Sequence, residues 1–445
     1  MYRTAIALLL LPFLSSPGFA AGLTLPDALR AAVANRPTVQ AARARADAAD
    51  AAISEARSAW LPRLTLAESY TRTNEPAGSL FIALNQERNV MTDPAYDLVA
   101  PDVQDDFETR LLLTQTLYDP AIDFGLRRAR TAGRAEAASA AWSAEEASFA
   151  AFRAYLDVQH AEAALAWVES SRQEATEIAR LAGERRTAGV GLKADELRAA
   201  VQLAEARRRE LAARNDLTLA RHRLALAIGQ PGGEARIAAP LDEQSIPPIE
   251  RPAGDLNRAD LQALALQVEA AELAVRQSRA DWLPRLGLSA HYAWHDKDRP
   301  FGTEAEAWAV GAGLNWELFD GLRRSAATAR TMAERRAAEA SLLDARREQI
   351  FHLEEARLRA EEARLQRDSA RQAVLEAGES QRLLQQRFEA GLADLADLLA
   401  AQSALDRSRF DAVGAESRHL LALGNIHFQA GRFLQAFLPG EELSR

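Results

Sequence analysis

The residues of this chain that could do chemistry are few and scattered. Seven histidines, His160, His222, His291, His295, His352, His419 and His427, are the candidates for proton transfer or metal ligation. His291 and His295 stand four apart, but in a strand-like segment beside a loop, so they do not pair on one helical face. Glu354-Glu355 and Glu361-Glu362 read as solvated helix faces rather than acid/base pairs. There is no cysteine, which excludes disulfides, thiolate metal sites, a cysteine nucleophile and a lipidated N-terminal cysteine. No Gly-x-Ser-x-Gly, His-Glu-x-x-His, P-loop or dinucleotide fingerprint occurs. Gly229-Gln230-Pro231-Gly232-Gly233, with no strand before it, is a helix-ending turn. The chain reads as a non-enzyme with no cofactor and no metal. What remains is a pair of acidic turns, in which Gly189 precedes Asp195 by six residues and Gly391 precedes Asp397 by six. Glycine permits the positive φ that ends one helix, and an aspartate in the first turn of the next suits the positive end of its dipole.

The 445 residues carry a net charge of −9 and are 26% charged, enough chain for one large domain or two to three ordinary ones. This mildly acidic balance gives no reason to expect nucleic acid as the partner. A mean hydropathy of −0.24 excludes a polytopic helical membrane protein but not a β-barrel, whose strands alternate. Residues 1–20 read as a signal peptide. Arg3 supplies the charge, Ala5 to Leu14 an apolar core too short to span a bilayer, and Gly18-Phe19-Ala20 the small residues before cleavage at Ala21. The expectation is an exported protein.

Trp60-Leu61-Pro62-Arg63-Leu64 recurs as Trp282-Leu283-Pro284-Arg285-Leu286. Leu117-Tyr118-Asp119 recurs as Leu318-Phe319-Asp320, and the Gly–Asp turn at Gly189 recurs at Gly391, the same distance on to within one position. Three ordered landmarks predict two copies of one unit. The expected division is a signal peptide at 1–20, repeat one at 21–230, a linker at 231–253, repeat two at 254–438 and a tail at 439–445. Each repeat runs helix, strand pair, very long helix, turn, long helix.

Leu25 to Ser58 and Leu256 to Asp281 are alanine-rich with apolar residues three and four apart, which predicts helices. At Trp60 and Trp282 the period changes to two. Leu286 to Trp294 and Trp308 to Leu318 alternate apolar with small or polar residues, and Leu64 to Tyr70 and Leu111 to Leu117 do so less cleanly, Glu68 interrupting. Strands of about 11 residues with Tyr70, Tyr292, Trp294, Trp308 and Trp316 as an aromatic girdle suit a transmembrane β-barrel. Four strands cannot close a barrel in lipid, so several chains must share one, and three chains give twelve strands. The stretches from Asn74 to Asp106 and from His295 to Glu306 read as surface loops. Asp119 to Gly189 is 70 residues and Asp320 to Gly391 is 71, each about 105 Å of helix. That length suits a bridge across a compartment.

The strand pairs after Trp-Leu-Pro-Arg-Leu, the twofold repeat and the glycine-centred turns together resemble the TolC family of outer-membrane efflux channels, over essentially the whole chain after the signal peptide. The resemblance implies a mainly α chain with a transmembrane β part, four strands per chain contributing to a trimeric 12-stranded β-barrel continuous with a long periplasmic α-helical barrel. It implies a homotrimer in outer-membrane lipid, a passive exit duct for efflux or type I secretion, and docking to a periplasmic adaptor (membrane fusion) protein and an inner-membrane transporter. The family's periplasmic tip is matched by Gly189, Gly191 and Asp195 in repeat one and by Phe388, Gly391, Asp394 and Asp397 in repeat two. Three copies would bring up to six carboxylates of Asp195 and Asp397 around a narrow opening, favouring cations, and the alternative is that they only cap helices. Ala400, Ala393 and Phe388 stand where the family pattern often has an acidic, a basic and a tyrosine residue. A tip closed by packing is thus the alternative to one held by interchain salt bridges. A poreless periplasmic adaptor or scaffold is the competing reading, against which the lipid-facing aromatic band argues.

Overall fold

The computed structural model describes residues 22–92, 94–230, 232–248 and 258–440. The expected signal peptide, part of the expected linker and most of the tail lie outside them. In chain order the elements are α1 (Leu25–Asn35), α2 (Pro37–Ser58), β1 (Arg63–Thr73), α3 (Pro76–Asn85), β2 (Gln104–Tyr118), α4 (Pro120–Thr187) and α5 (Lys193–Ala227). They continue with α6 (Ala259–Ala280), β3 (Arg285–Asp296), β4 (Ala305–Asn315), α7 (Arg323–Glu389), α8 (Leu395–Gln429) and α9 (Phe433–Phe437). Two compact units divide the described residues, and each draws on both halves of the chain: one holds 22–41, 141–230, 232–248, 258 and 348–440, the other 42–92, 94–140 and 259–347. Helices α4 and α7, of 68 and 67 residues, are each about 100 Å long.

The first unit is a helical core. Thr24 caps α1, its hydroxyl accepting from the Asp27 N–H at 3.4 Å. The one helix expected over Leu25 to Ser58 is two, because Pro37 disfavours the helical conformation at Arg36, whose ψ is 126°. Leu29 and Val33 of α1 pack with Phe152 and Leu156 of α4, Leu224 of α5, Leu420 of α8 and Phe433 of α9. Gly424 of α8 lies against Phe152, and a Cβ there would come within 2.3 Å of the ring. The stretch read from composition as a linker is held down where it is described. Leu23 bridges Ile237, the Tyr155 hydroxyl donates to the Ala239 carbonyl at 2.7 Å, and Gln159 exchanges two hydrogen bonds with Leu241.

The second unit carries one antiparallel sheet of order β1-β2-β3-β4. Arg63 faces Thr114 in the first hairpin and Arg285 faces Asn315 in the second. The numbering shift that carries Arg63 onto Arg285 carries all of β1 onto β3, and the shift from Thr114 to Asn315 carries its partners onto β4. Together they turn every pair of the first hairpin into a pair of the second. Two sequence expectations change here. The stretch from Asn74 to Asp106 is not all loop: Pro76 opens α3, and β2 begins at Gln104. The alternation running on to Leu318 ends as a strand at Asn315.

Candidate functional sites: the helical turns and the sheet

Each long helix of a pair ends in the same way. At Gly189 φ is +74° and at Gly391 it is +77°. The Val190 N–H reaches back to the Arg185 carbonyl at 3.0 Å, and the Leu392 N–H to the Arg387 carbonyl at 2.7 Å. These are the bonds of a glycine-terminated helix. Gly191 is needed for space instead, since a Cβ there would sit 3.0 Å from the Arg185 backbone and side chain. The second helices start differently. Asp394 caps α8, its carboxylate accepting from the Asp397 N–H at 2.8 Å, whereas the equivalent Leu192 leaves α5 without a side-chain cap. Asp195 and Asp397 therefore occupy the third helical position, where the dipole favours a carboxylate without a capping bond. Asp195 pairs with Arg198 at 3.7 Å, within its own helix.

The two turns meet through a residue that the sequence did not single out. The Arg185 guanidinium lies 4.8 Å from the Phe388 ring centre and donates to the Phe388 carbonyl at 2.6 Å. Phe388 is buried with Ile178 and Ala182 of α4, Ala199 of α5, and Leu395 and Leu398 of α8. Val190, Leu192 and Leu392 project outward from the turns. Farther along, the buried Gln402 bridges Glu174 and Asp406, which are neutralised by Arg409 at 3.1 Å and Arg209 at 3.3 Å. Only the helical spacing of these charges is visible in sequence, and their meeting depends on three helices.

On the sheet, Tyr70 lies tilted against Phe107 with ring centres 4.8 Å apart and donates to Asp105 at 2.6 Å. Tyr292 lies 4.8 Å from Trp294 and pairs in register with Trp308, which is 72% exposed. Trp316 lies just past β4 and donates to the Trp282 carbonyl at 3.1 Å. The five aromatic residues expected to form a girdle thus fall on or beside the strands, four of them on strands. Glu68, the interruption, has its carboxylate satisfied by the Thr109 hydroxyl and the Phe301 N–H. His295 is buried against Asp106 at 2.9 Å, and Gln86 from the turn after α3 also donates to that carboxylate. The β1–β2 connection is thereby anchored to the strands. Among the described residues no group of three His, Cys, Asp or Glu is placed to hold a metal, and no helix is long and apolar enough to cross a membrane.

The chain is 29% identical over 263 residues to the alkaline protease secretion protein AprF of Pseudomonas aeruginosa, a match that covers 55% of this chain and 52% of AprF. It therefore spans about half the length of that relative. Its fold is that of the outer membrane protein VceC of Vibrio cholerae, with a TM-score of 0.74 at 19% identity over 92% of this chain and 96% of VceC. The CmeC outer membrane channel of Campylobacter jejuni gives a TM-score of 0.78 at 15% identity over 92% and 86% of the two chains. Residues 28–230 and 255–432 match the family described as outer membrane efflux protein. With the family covering most of the chain on either side of the segment around 231–254, this is an outer-membrane protein and belongs to the outer membrane efflux protein family.

Proposed function

We propose that the chain is the passive exit duct of a tripartite efflux or type I secretion apparatus, working as a homotrimer whose twelve strands close one barrel and whose long helices form the periplasmic conduit. The observation that carries this reading is the sheet. It has four strands, two edges unpaired among the described residues, and exposed Leu64, Leu66, Trp308, Val310 and Leu314 along those edges. An open edge in lipid leaves backbone groups unsatisfied, and closure by further copies removes it. The two hairpins share one register, Arg63 with Thr114 matching Arg285 with Asn315, which supports two structural repeats. The name of AprF, a secretion protein, and the description of CmeC as a channel support the transport role. A periplasmic adaptor docks at the α4–α5 and α7–α8 turns and links the duct to an inner-membrane transporter. Asp195 and Asp397 contribute carboxylates to the constriction there.

Light scattering of the detergent-solubilised protein tests the assembly. A folded particle of three chain masses is expected, and a folded, stable monomer would overturn the reading.

A further inference from the structure

Helix α3 has two faces. Ser79, Ile82, Ala83 and Gln86 recur at helical spacing and are buried, whereas Ala77, Phe81 and Leu84 lie on the other side, with Phe81 63% and Leu84 42% exposed. The buried side rests on the sheet at the end where β1 and β3 finish and β2 and β4 begin. Gln86 donates to the Asp106 carboxylate at 2.9 Å and to the Asp105 carbonyl at 2.8 Å, and Arg88 donates to the Gln104 side chain at 2.6 Å. The Ser79 hydroxyl donates to the Thr73 carbonyl at 3.3 Å. Gln104, Asp106, Ala293, His295 and Ala305 are all buried at this end.

Strand alternation says which face of the sheet this is. Leu66, Leu111, Tyr292 and Trp308 form one cross-strand row, and Leu64, Leu113, Ala290 and Val310 form the next, so the apolar side chains share a face. Asp106, Ala293, His295 and Ala305 alternate with them and belong to the opposite face, with Thr114, Ser289 and Gly311. In a barrel embedded in lipid the apolar face meets the membrane and the small, polar face meets the interior. On that geometry α3 sits inside, and lipid does not cover Phe81 and Leu84.

We infer that the apolar stripe of α3 packs against the α3 helices of two further copies of this chain and narrows the far mouth of the shared barrel to an apolar constriction. This rests on the shared-barrel reading above and adds an element that a twelve-stranded wall does not itself contain. Width decides the occupant. Twelve strands about 4.8 Å apart and tilted by about 40° enclose a tube about 24 Å across between backbones. Three helices, each about 10 Å thick, fill a circle about 22 Å across when they lie side by side. Helices tied to the wall of such a tube through Gln86 and Arg88 have one another to meet, and that contact takes Phe81 and Leu84 out of water. An apolar ring of this kind resists hydration and limits ion flow.

Single-channel conductance and cysteine cross-linking of the full chain test the inference together. Both side chains are exposed within one chain, so Phe81→Ser with Leu84→Ser leaves its fold intact. The natural protein is expected to give small steps in a planar bilayer, and the double variant steps several-fold larger. The sequence has no cysteine, so Phe81→Cys introduces one thiol per chain. Oxidised membranes carrying it are expected to show a two-chain band on a non-reducing gel. Steps of equal size in the natural protein and the double variant would overturn the constriction. Larger steps from the double variant without a Phe81→Cys cross-link would overturn the contact between copies. A particle of one chain mass, or a three-chain particle that conducts in neither form, would instead overturn the duct reading on which the inference rests.

Discussion

Arg185 and Phe388 show what a single contact does at the turns. The guanidinium both covers the ring and donates to the Phe388 carbonyl, which also accepts from the Gly391 N–H, so it ties the α4–α5 turn to the α7–α8 turn. Arg185→Ala is expected to destabilise the turns locally by about 2–4 kcal/mol, the sum of a cation–π contact and a charged hydrogen bond. Hydrogen exchange at 388–399 should quicken, with Arg185→Lys intermediate because a lysine keeps the charge without the flat stack. Unchanged exchange in Arg185→Ala would show that packing alone holds the turns. The glycines divide cleanly. Gly391→Ala, at positive φ, should cost about 1–2 kcal/mol, whereas Gly313→Ala, in open space and at ordinary φ, should cost little. Thermal unfolding in detergent reads the difference. His419 adds a pH dependence. It is buried with no hydrogen-bond partner, faces Glu243 of the strap after α5, Arg367 of α7 and Glu416 of α8, and is pushed below its ordinary value first by burial and then by Arg367. The unfolded side chain therefore takes up its proton at higher pH than the folded one. Stability is present above the ordinary histidine value of 6.5 and is lost as pH falls below it. Protection against exchange in 236–248, taken relative to the intrinsic rate at each pH, should fall between pH 7.5 and pH 5.5 in the natural protein and fall much less in His419→Leu. Equal falls in both would remove His419 from the account.

Elements were readable in sequence wherever a local rule decided them. The change from helical to twofold period at Trp60 and Trp282 marks where strands begin, and the positive φ of Gly189 and Gly391 follows from the demand of the turn. Elements that depend on distant neighbours were not. In the stretch after Asn74 only Pro76 announces α3, a signal that suits a loop as well, and the turn after the helix is anchored by Gln86 to a carboxylate on β2. β4 stops at Asn315 although the alternation runs on to Leu318, and the helix cap at Asp394 rather than Asp397 depends on a one-turn difference that dipole arguments do not resolve. Arg185 escaped notice because an arginine near a helix C-terminus is expected for the dipole alone. Gly424 shows the same limit in the core: its need is set by Phe152, which lies in the other half of the chain. Gly424→Ala should cost about 1–3 kcal/mol by overpacking, seen as a lowered melting temperature, and the combination with Phe152→Leu should recover part of it.

The described residues form two compact units, one with the helical turns and one with the sheet. Among the described residues two strand edges are open, and the proposed trimer satisfies them. In the proposed trimer, passage depends on the ring of turns to which Asp195 and Asp397 are proposed to supply charge. Single-channel conductance in planar bilayers, for the natural protein and for Asp195→Asn with Asp397→Asn, tests this most directly. Discrete cation-selective steps from the three-chain particle, with selectivity reduced in the double variant, are the expected result. A folded, detergent-stable oligomer that enters the bilayer and carries no current would contradict the account.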